Sequence, residues 1–417
     1  MSWSQVTPQQ RRTLIAAALG WMLDGFDVML YATVVSYVML DLGMSKPMAG
    51  FLNTLTLIAS GMGGLIFGFI ADRLGRKRAL MLSILTYSVC SFASGLSTSI
   101  AMLAVFRFIL GLGMGGEWNT GATLVAETWP TELRAKALAM VQSSFAIGFA
   151  AAALVAGLVL KFSNWRTVFF VGIAPALVIL WIRRQVPESE MWKEHHRLAE
   201  ESKHVAEAQR HYEESSFKRL FSREFIKPTF VLLFVNFFGM FGWWGLFTWA
   251  PAFLSLPESQ GGRGFGLAGT TTMLVVQQLV GMFPGYASFG WVADKLGRRK
   301  SFVLYLVIAA VLTPIYAMVR GTALILLLGI VVAFFGTGFF SGSSITGSEI
   351  FPTTLRARAL GFTYPGARML SSVAPFAIGW IWQTKGLTAA FFLCGASFLL
   401  AAIVATQLPE TRGKVLE

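Results

Sequence analysis

Apolar residues in this 417-residue chain fall into long unbroken blocks rather than alternating with polar ones. Twelve blocks can be drawn, at roughly 13–40, 47–71, 79–97, 100–126, 136–160, 165–184, 227–255, 267–292, 301–319, 322–348, 357–382 and 387–408. A helix needs roughly 20 apolar residues to cross the hydrocarbon core of a bilayer. Such a helix satisfies its own backbone groups where no water is available. The pattern predicts an all-α membrane protein of twelve transmembrane helices, with both chain ends on one side. One long polar interruption, 185–226, divides it. Its stretch Glu190–Ser216 is rich in Glu, Lys, Arg, His and Ala and lacks Gly and Pro, which predicts linker helices in the cytoplasm. The organisation expected is a six-helix bundle over 1–184, a linker over 185–226 and a second six-helix bundle over 227–417.

The two bundles repeat each other. Gly68-Phe-Ile-Ala-Asp72-Arg-Leu-Gly75-Arg76-Lys77 returns 222 residues later as Gly290-Trp-Val-Ala-Asp294-Lys-Leu-Gly297-Arg298-Arg299. Glu127-Thr-Trp-Pro130-Thr-Glu-Leu-Arg134 returns at the same spacing as Glu349-Ile-Phe-Pro352-Thr-Thr-Leu-Arg356. Two motifs sharing one spacing mark a duplication. Six helices bring the chain back to its starting side, so the repeats are parallel, an architecture found in transporters.

Composition agrees: 55% of residues are hydrophobic, 13% are charged and mean hydropathy is +0.63. A net charge of +13 on a soluble protein would suggest a nucleic-acid partner. Here most lysines and arginines fall in the segments before the first block, after the even-numbered blocks 2, 4, 6, 8, 10 and 12, and in the linker. That asymmetry places both termini in the cytoplasm of an inner-membrane protein, facing anionic lipid, with no nucleic acid as partner. The polar, basic start lacks the apolar core of a cleavable signal peptide. Cys90 and Cys394 lie in apolar runs of different halves and are not expected to pair. The four histidines, 195, 196, 204 and 211, all lie in the linker and read as a solvated helix face.

The repeated loop, with Arg107-Phe-Ile-Leu-Gly111-Leu-Gly113-Met-Gly115-Gly116 in the fourth block, resembles the signature of the major facilitator superfamily. Pro187-Glu188-Ser189 and Pro409-Glu410-Thr411 are similar to the sugar-porter-like branch. Leu23-Asp24-Gly25-Phe26-Asp27 and Gly116-Glu117-Trp118 resemble the metabolite:proton symporters of aromatic acids, sialate and related organic acids. Gly68 and Gly290 are expected to permit close helix approach. The resemblance implies that Asp72 faces the start of the eleventh helix and Asp294 the start of the fifth. With Arg76, Glu127, Arg134, Arg298, Glu349 and Arg356 they would form a cytoplasmic charge network that latches the outward-facing state and breaks when the inside opens.

Subtracting the repeat isolates further candidates. Asp24, Asp27, Arg107 and Glu117 align with Leu246, Trp249, Gly329 and Phe339, and Arg368 aligns with Ala146. A charge near the bilayer centre costs about 2.5–3.5 kcal/mol even on lenient scales. Packing does not demand it, because the related helix does without. No membrane block contains histidine, so proton coupling must use carboxylates. Burial opposes carboxylate ionisation and a nearby guanidinium favours it. Asp27 is therefore the expected proton site and Arg107 its switch, with Asp24 and Glu117 as relay or alternative sites. A static buried ion pair is the structural alternative.

Arg368, four residues after Tyr364, is the expected anchor for a carboxylate, through its rigid two-donor fork. Arg107 is second, and a structural pair with Asp24 or Glu117 is the alternative. Asn236, Trp243, Gln277 and Gln278 are further cavity candidates, and Trp249 fits an interfacial belt. No nucleotide-binding loop and no nucleophile–base or metal-ligand set occurs, so neither an enzyme nor a bound cofactor is expected. The function expected is proton-driven symport of a small organic anion by a monomer using alternating access. A sugar or polyol carrier, and a receptor that binds without carrying, are the alternatives.

Overall fold

The structure, a computed structural model, describes residues 6–190, 192–194 and 219–412, with backbone alone at 118, 119, 122, 126, 131, 132, 134, 135, 353, 354 and 357. Most of the linker, all four histidines and the last five residues lie outside the described residues.

The described chain is helical throughout: α1 Pro8–Leu42, α2 Lys46–Leu74, α3 Arg76–Gly95, α4 Ile100–Thr128, α5 Thr131–Leu160, α6 Trp165–Val171, α7 Ala176–Gln185, α8 Ile226–Ser255, α9 Leu267–Val276, α10 Phe283–Leu296, α11 Arg298–Met318, α12 Thr322–Ile350, α13 Thr353–Ser371, α14 Ala374–Lys385 and α15 Leu387–Ala405. The twelve predicted spans are recovered, three of them broken. The sixth is α6 plus α7. The eighth is α9 and α10 joined by a π-helical stretch at Gln277–Met282. The eleventh is α13 plus α14, interrupted at Ser372. Among the described residues nine helices are long and apolar enough to cross a membrane. The third, eighth and eleventh spans fall short because each carries charge or a break.

Helix starts follow from the sequence. Thr7 caps α1 in a reciprocal box with Gln10, and Ser45 and Ser99 cap α2 and α4. The turns between α2 and α3 and between α10 and α11 contain Gly75 (φ 98°) and Gly297 (φ 94°), a region that disfavours side chains. Each glycine also makes room for a carboxylate. Glu188 accepts the backbone N–H groups of Arg76 (2.9 Å) and Lys77 (3.2 Å) at the start of α3. Its repeat-mate Glu410 accepts that of Arg298 (2.8 Å) at the start of α11. These acids cap helix N-termini, where negative charge is favoured.

Helix α1 packs on α4 and α5, α2 on α4, and α11 and α8 on α15. Gly115 of α4 brings the backbones closest: a Cβ there would lie 1.8 Å from the Ser60 carbonyl oxygen of α2. The expectation for Gly68 and Gly290 fails. A Cβ on Gly68 would meet nothing within 4 Å, and one on Gly290 only Ile345 at 3.5 Å. The tight crossing sits earlier on α2, at Ser60–Gly64, because there the facing helix α4 supplies glycine as well.

Hydrogen bonds joining the halves include four at mid-bundle and at the end away from the termini. They are Ser36–Ser255 (3.2 Å), Asn53 to Thr248 (2.9 Å), Phe376 N to Thr54 (3.3 Å) and Gln142 to Tyr364 (3.3 Å). At that far end α2 lies on α14 so closely that a Cβ on Gly50 would be 2.3 Å from the Pro375 carbonyl oxygen.

Candidate transport site

The midpoint of the bundle holds a narrow chamber walled by both halves. Its lining includes Trp21, Phe145, Trp243, Trp244, Tyr364 and Arg368, and its volume is only ≈ 10 Å³. That is space for about one water, so the chamber must widen to admit an organic molecule. Trp21 and Trp243 are repeat-related and both touch Phe145, at ring-centroid distances of 5.5 and 5.7 Å. Trp243 is fixed by donating to Thr337 (3.1 Å). Gln142 and Tyr364, bonded across the chamber's edge, are repeat-related too, so they meet near the axis relating the halves.

Arg368 is 6% exposed, and its guanidinium carbon lies 5.7 Å from the ring centroids of both Trp21 and Trp244. Its Nε and Nη2 have no hydrogen-bond partner. These two nitrogens form one edge of the guanidinium, with the parallel donors that match a carboxylate. Asp24 and Glu117 are within its electrostatic reach. Both Asp24 carboxylate oxygens and Oε2 of Glu117 are buried without a hydrogen-bond partner. Glu117 packs against α1 at Gly20, where a Cβ would lie 2.2 Å from its Oε1. Gly20 is one turn before Asp24, so the two acids share a face.

Asp27 lies elsewhere. It is fully buried, and its Oδ1 accepts from Ser91 of α3 (2.7 Å). Gly172, after α6, leaves the space these two groups occupy. Arg107 is also fully buried and stacks over Tyr31 (4.7 Å), with a long contact to Asn53 (3.5 Å). No ion pair within 4 Å joins it to Asp27, whose Oδ2 is unpartnered. The Asp27–Arg107 pair expected from the sequence is therefore open in this conformation. The Ser91 hydroxyl and the Tyr31 ring hold the two side chains instead.

Several sequence candidates stand outside the chamber. Arg107 does not line it. Gln277 donates to Tyr316 (3.3 Å) within the second half. Gln278 and Asn236 are buried with unpartnered amides but do not reach the chamber wall. Trp249 is fully buried, donates to the Pro375 carbonyl (2.9 Å) and stacks edge-on with Trp382, so it is no interfacial belt residue.

The charge network forms within each half. Arg76 binds Asp72 (2.6 Å) and Glu127 (3.3 Å), and Arg298 binds Asp294 (2.7 Å) and Glu349 (2.7 Å). The side chains of Asp72 and Asp294 are 72% and 71% exposed, so neither is docked against the opposite half as expected. Arg356 is half-buried, and the Arg134 side chain lies outside the described residues.

Sequence reasoning placed Trp244 beside Trp243 as a possible cavity wall, but missed Trp21, Phe145, Gln142, Ser91, Asn53 and the capping role of Glu188 and Glu410. The signal for Trp21, Gln142, Glu188 and Glu410 was present in the repeat itself. Each has a partner 222 residues away: Trp243 and Tyr364 meet Trp21 and Gln142 at the chamber, whereas Glu188 and Glu410 cap equivalent helix starts in opposite halves.

Two repeated helical halves closing around a central chamber, with unpaired buried charge on one wall, define a membrane transporter rather than an enzyme. The chain belongs to the Major Facilitator Superfamily, whose profile matches residues 17–287 and 262–416. It is 32% identical to the sialic acid transporter NanX of Escherichia coli K12 over 417 residues, covering 98% of this chain and 96% of that one. It is 30% identical to the cis,cis-muconate transport protein of Acinetobacter baylyi over 389 residues, covering 93% of this chain and 91% of the relative. The xylose transporter XylE of E. coli, in a partially occluded inward open conformation, shares the fold with a TM-score of 0.75 at 18% identity, over 98% of this chain and all of that one.

Proposed function

We propose that this protein is a proton-coupled symporter of a small organic anion, working by alternating access between its two six-helix halves. The observation that carries the reading is Arg368: a buried guanidinium in an aromatic chamber between the halves, with its bidentate edge unpartnered. A neutral sugar offers that edge no charged, paired acceptors, whereas a carboxylate supplies both oxygens in matching geometry, and the aromatic wall covers an apolar or planar body. The relatives named for sialic acid and muconate support the same substrate class.

Asp27 carries the coupled proton. Arg107 sits within electrostatic reach of it without contact, so a shift of α4 against α1 alters how well the ionised carboxylate is compensated. Asp24 and Glu117 pass charge between this site and the chamber. The termini lie in the cytoplasm, as the basic loops dictate. The conformation described, closed at the far end with Asp72 and Asp294 undocked, then faces inward, and docking of those acids latches the outward-facing form.

The test is uptake of cis,cis-muconate and sialic acid into liposomes containing the purified protein, with and without an inward proton gradient. Uphill accumulation is expected only with the gradient, and is lost in Asp27→Asn while counterflow persists. A rate insensitive to pH, or uphill accumulation by Asp27→Asn, refutes the coupling.

A further inference from the structure

At the end of the bundle that bears the termini, a groove of ≈ 590 Å³ opens on the outside of the second half between α11 and the end of α15. Its floor is Val303, Leu304, Val307 and Ile308, and its mouth is Arg299 and Lys300. These six residues form two i,i+4 rows on α11. They extend about 14 Å along the helix at 1.5 Å per residue, so the groove is long and narrow with both charges at one end.

The two cations are uncommitted. Both are exposed, and among the described residues neither side chain has a hydrogen-bond or ion-pair partner. The repeat offers an internal comparison: Lys77, the mate of Arg299, spends its ammonium group on the Arg183 carbonyl (2.8 Å). The acid at the start of α11, Glu410, is occupied by backbone N–H groups there, including those of Arg298 and Arg299. It offsets one charge and leaves the mouth net positive.

We propose that this groove binds an anionic phospholipid, its phosphate on Arg299 and Lys300 and one acyl chain along Val303 to Ile308. The apolar floor favours a lipid over a soluble phosphate, because a free anion would leave that surface uncovered. The paired cations favour an anionic over a zwitterionic headgroup. A juxtamembrane cation is worth about fivefold in affinity for anionic lipid, so two give a preference of at least about tenfold.

Native mass spectrometry of the full protein in detergent, titrated with phosphatidylglycerol or phosphatidylcholine, reads this preference. Retention of phosphatidylglycerol over phosphatidylcholine by about tenfold is expected. Arg299→Gln with Lys300→Gln abolishes the preference, while Arg11→Gln with Arg12→Gln, remote from the groove, keeps it. Val307→Trp fills the floor and lowers phosphatidylglycerol retention with both cations intact, which covers the case of a double variant that fails to fold. Equal retention of the two lipids overturns the proposal. So does an unchanged preference in the double variant, or thermal protection by glycerol 3-phosphate equal to that by phosphatidylglycerol.

Discussion

Replacing Arg368 should separate affinity from fold. In the structure Arg368 is only 6% exposed, and Nε and Nη2 have no partner. A carboxylate received on that edge gains two charge-assisted hydrogen bonds, each worth about 1.5–3 kcal/mol. Desolvating the carboxylate offsets part of this, leaving a net of about 3 kcal/mol, or roughly a hundredfold in Kd at 1.4 kcal/mol per decade. Arg368→Ala should therefore weaken organic-acid binding about a hundredfold. Arg368→Lys, which keeps the charge but not the fork, should weaken it about tenfold. Isothermal titration calorimetry with cis,cis-muconate measures both, and the melting temperature of each variant reports folding independently. Arg368→Ala binding within threefold of the parent, at unchanged stability, would refute the anchor role.

Further outcomes follow from the same geometry. Ser91→Ala removes a donor that stabilises the ionised Asp27 carboxylate, worth about one pH unit or more; the pH midpoint of uptake should move to higher values, and an unmoved midpoint would exclude Ser91 from the proton site. Gly20→Ala pushes against the flexible end of Glu117, so melting temperature should hold while uptake falls. Gly115→Ala instead drives a Cβ into the Ser60 carbonyl and should cost about 1–3 kcal/mol of stability; a thermal scan that ranks the two variants the other way contradicts this reading of α2–α4 packing.

At Glu410, burial works against ionisation, but the backbone N–H groups of Arg298, Arg412, Arg299 and Thr411 outweigh it and hold the carboxyl below its ordinary value. A depressed carboxyl contributes stability above its unfolded pKa and loses it as pH falls through the folded one. Acidification below about pH 4.5 should thus remove about 0.5 kcal/mol at most, given solvent screening. Glu410→Gln should abolish that part of the acid dependence of unfolding.

Element number and the duplication were legible in the chain because the bilayer imposes a length on every span and the repeat preserves its spacing. The charge subtraction found Asp24, Asp27, Arg107, Glu117 and Arg368, because an ion in a lipid-spanning segment is conspicuous against an apolar background, and all five are buried. Which charges face one another was not legible. Asp24 and Asp27 are three residues apart, yet one turns toward the chamber side with Glu117 and the other toward Ser91 in α3. A single turn of helix thus divides them between two neighbours, and only packing decides which neighbour each meets. Phe145 was hidden for the opposite reason: it looks like any apolar residue in a membrane span until Trp243 of the other half closes on it. Likewise the capping acids Glu188 and Glu410 lie more than a hundred residues from the helix starts they cover, a contact no local pattern can announce. Sequence alone thus determined how many helices cross, where the chain repeats and which residues bear charge in apolar surroundings, since these depend on local free energy of transfer. Tertiary structure decided partnership and access, since these depend on how separately stable helices pack against one another.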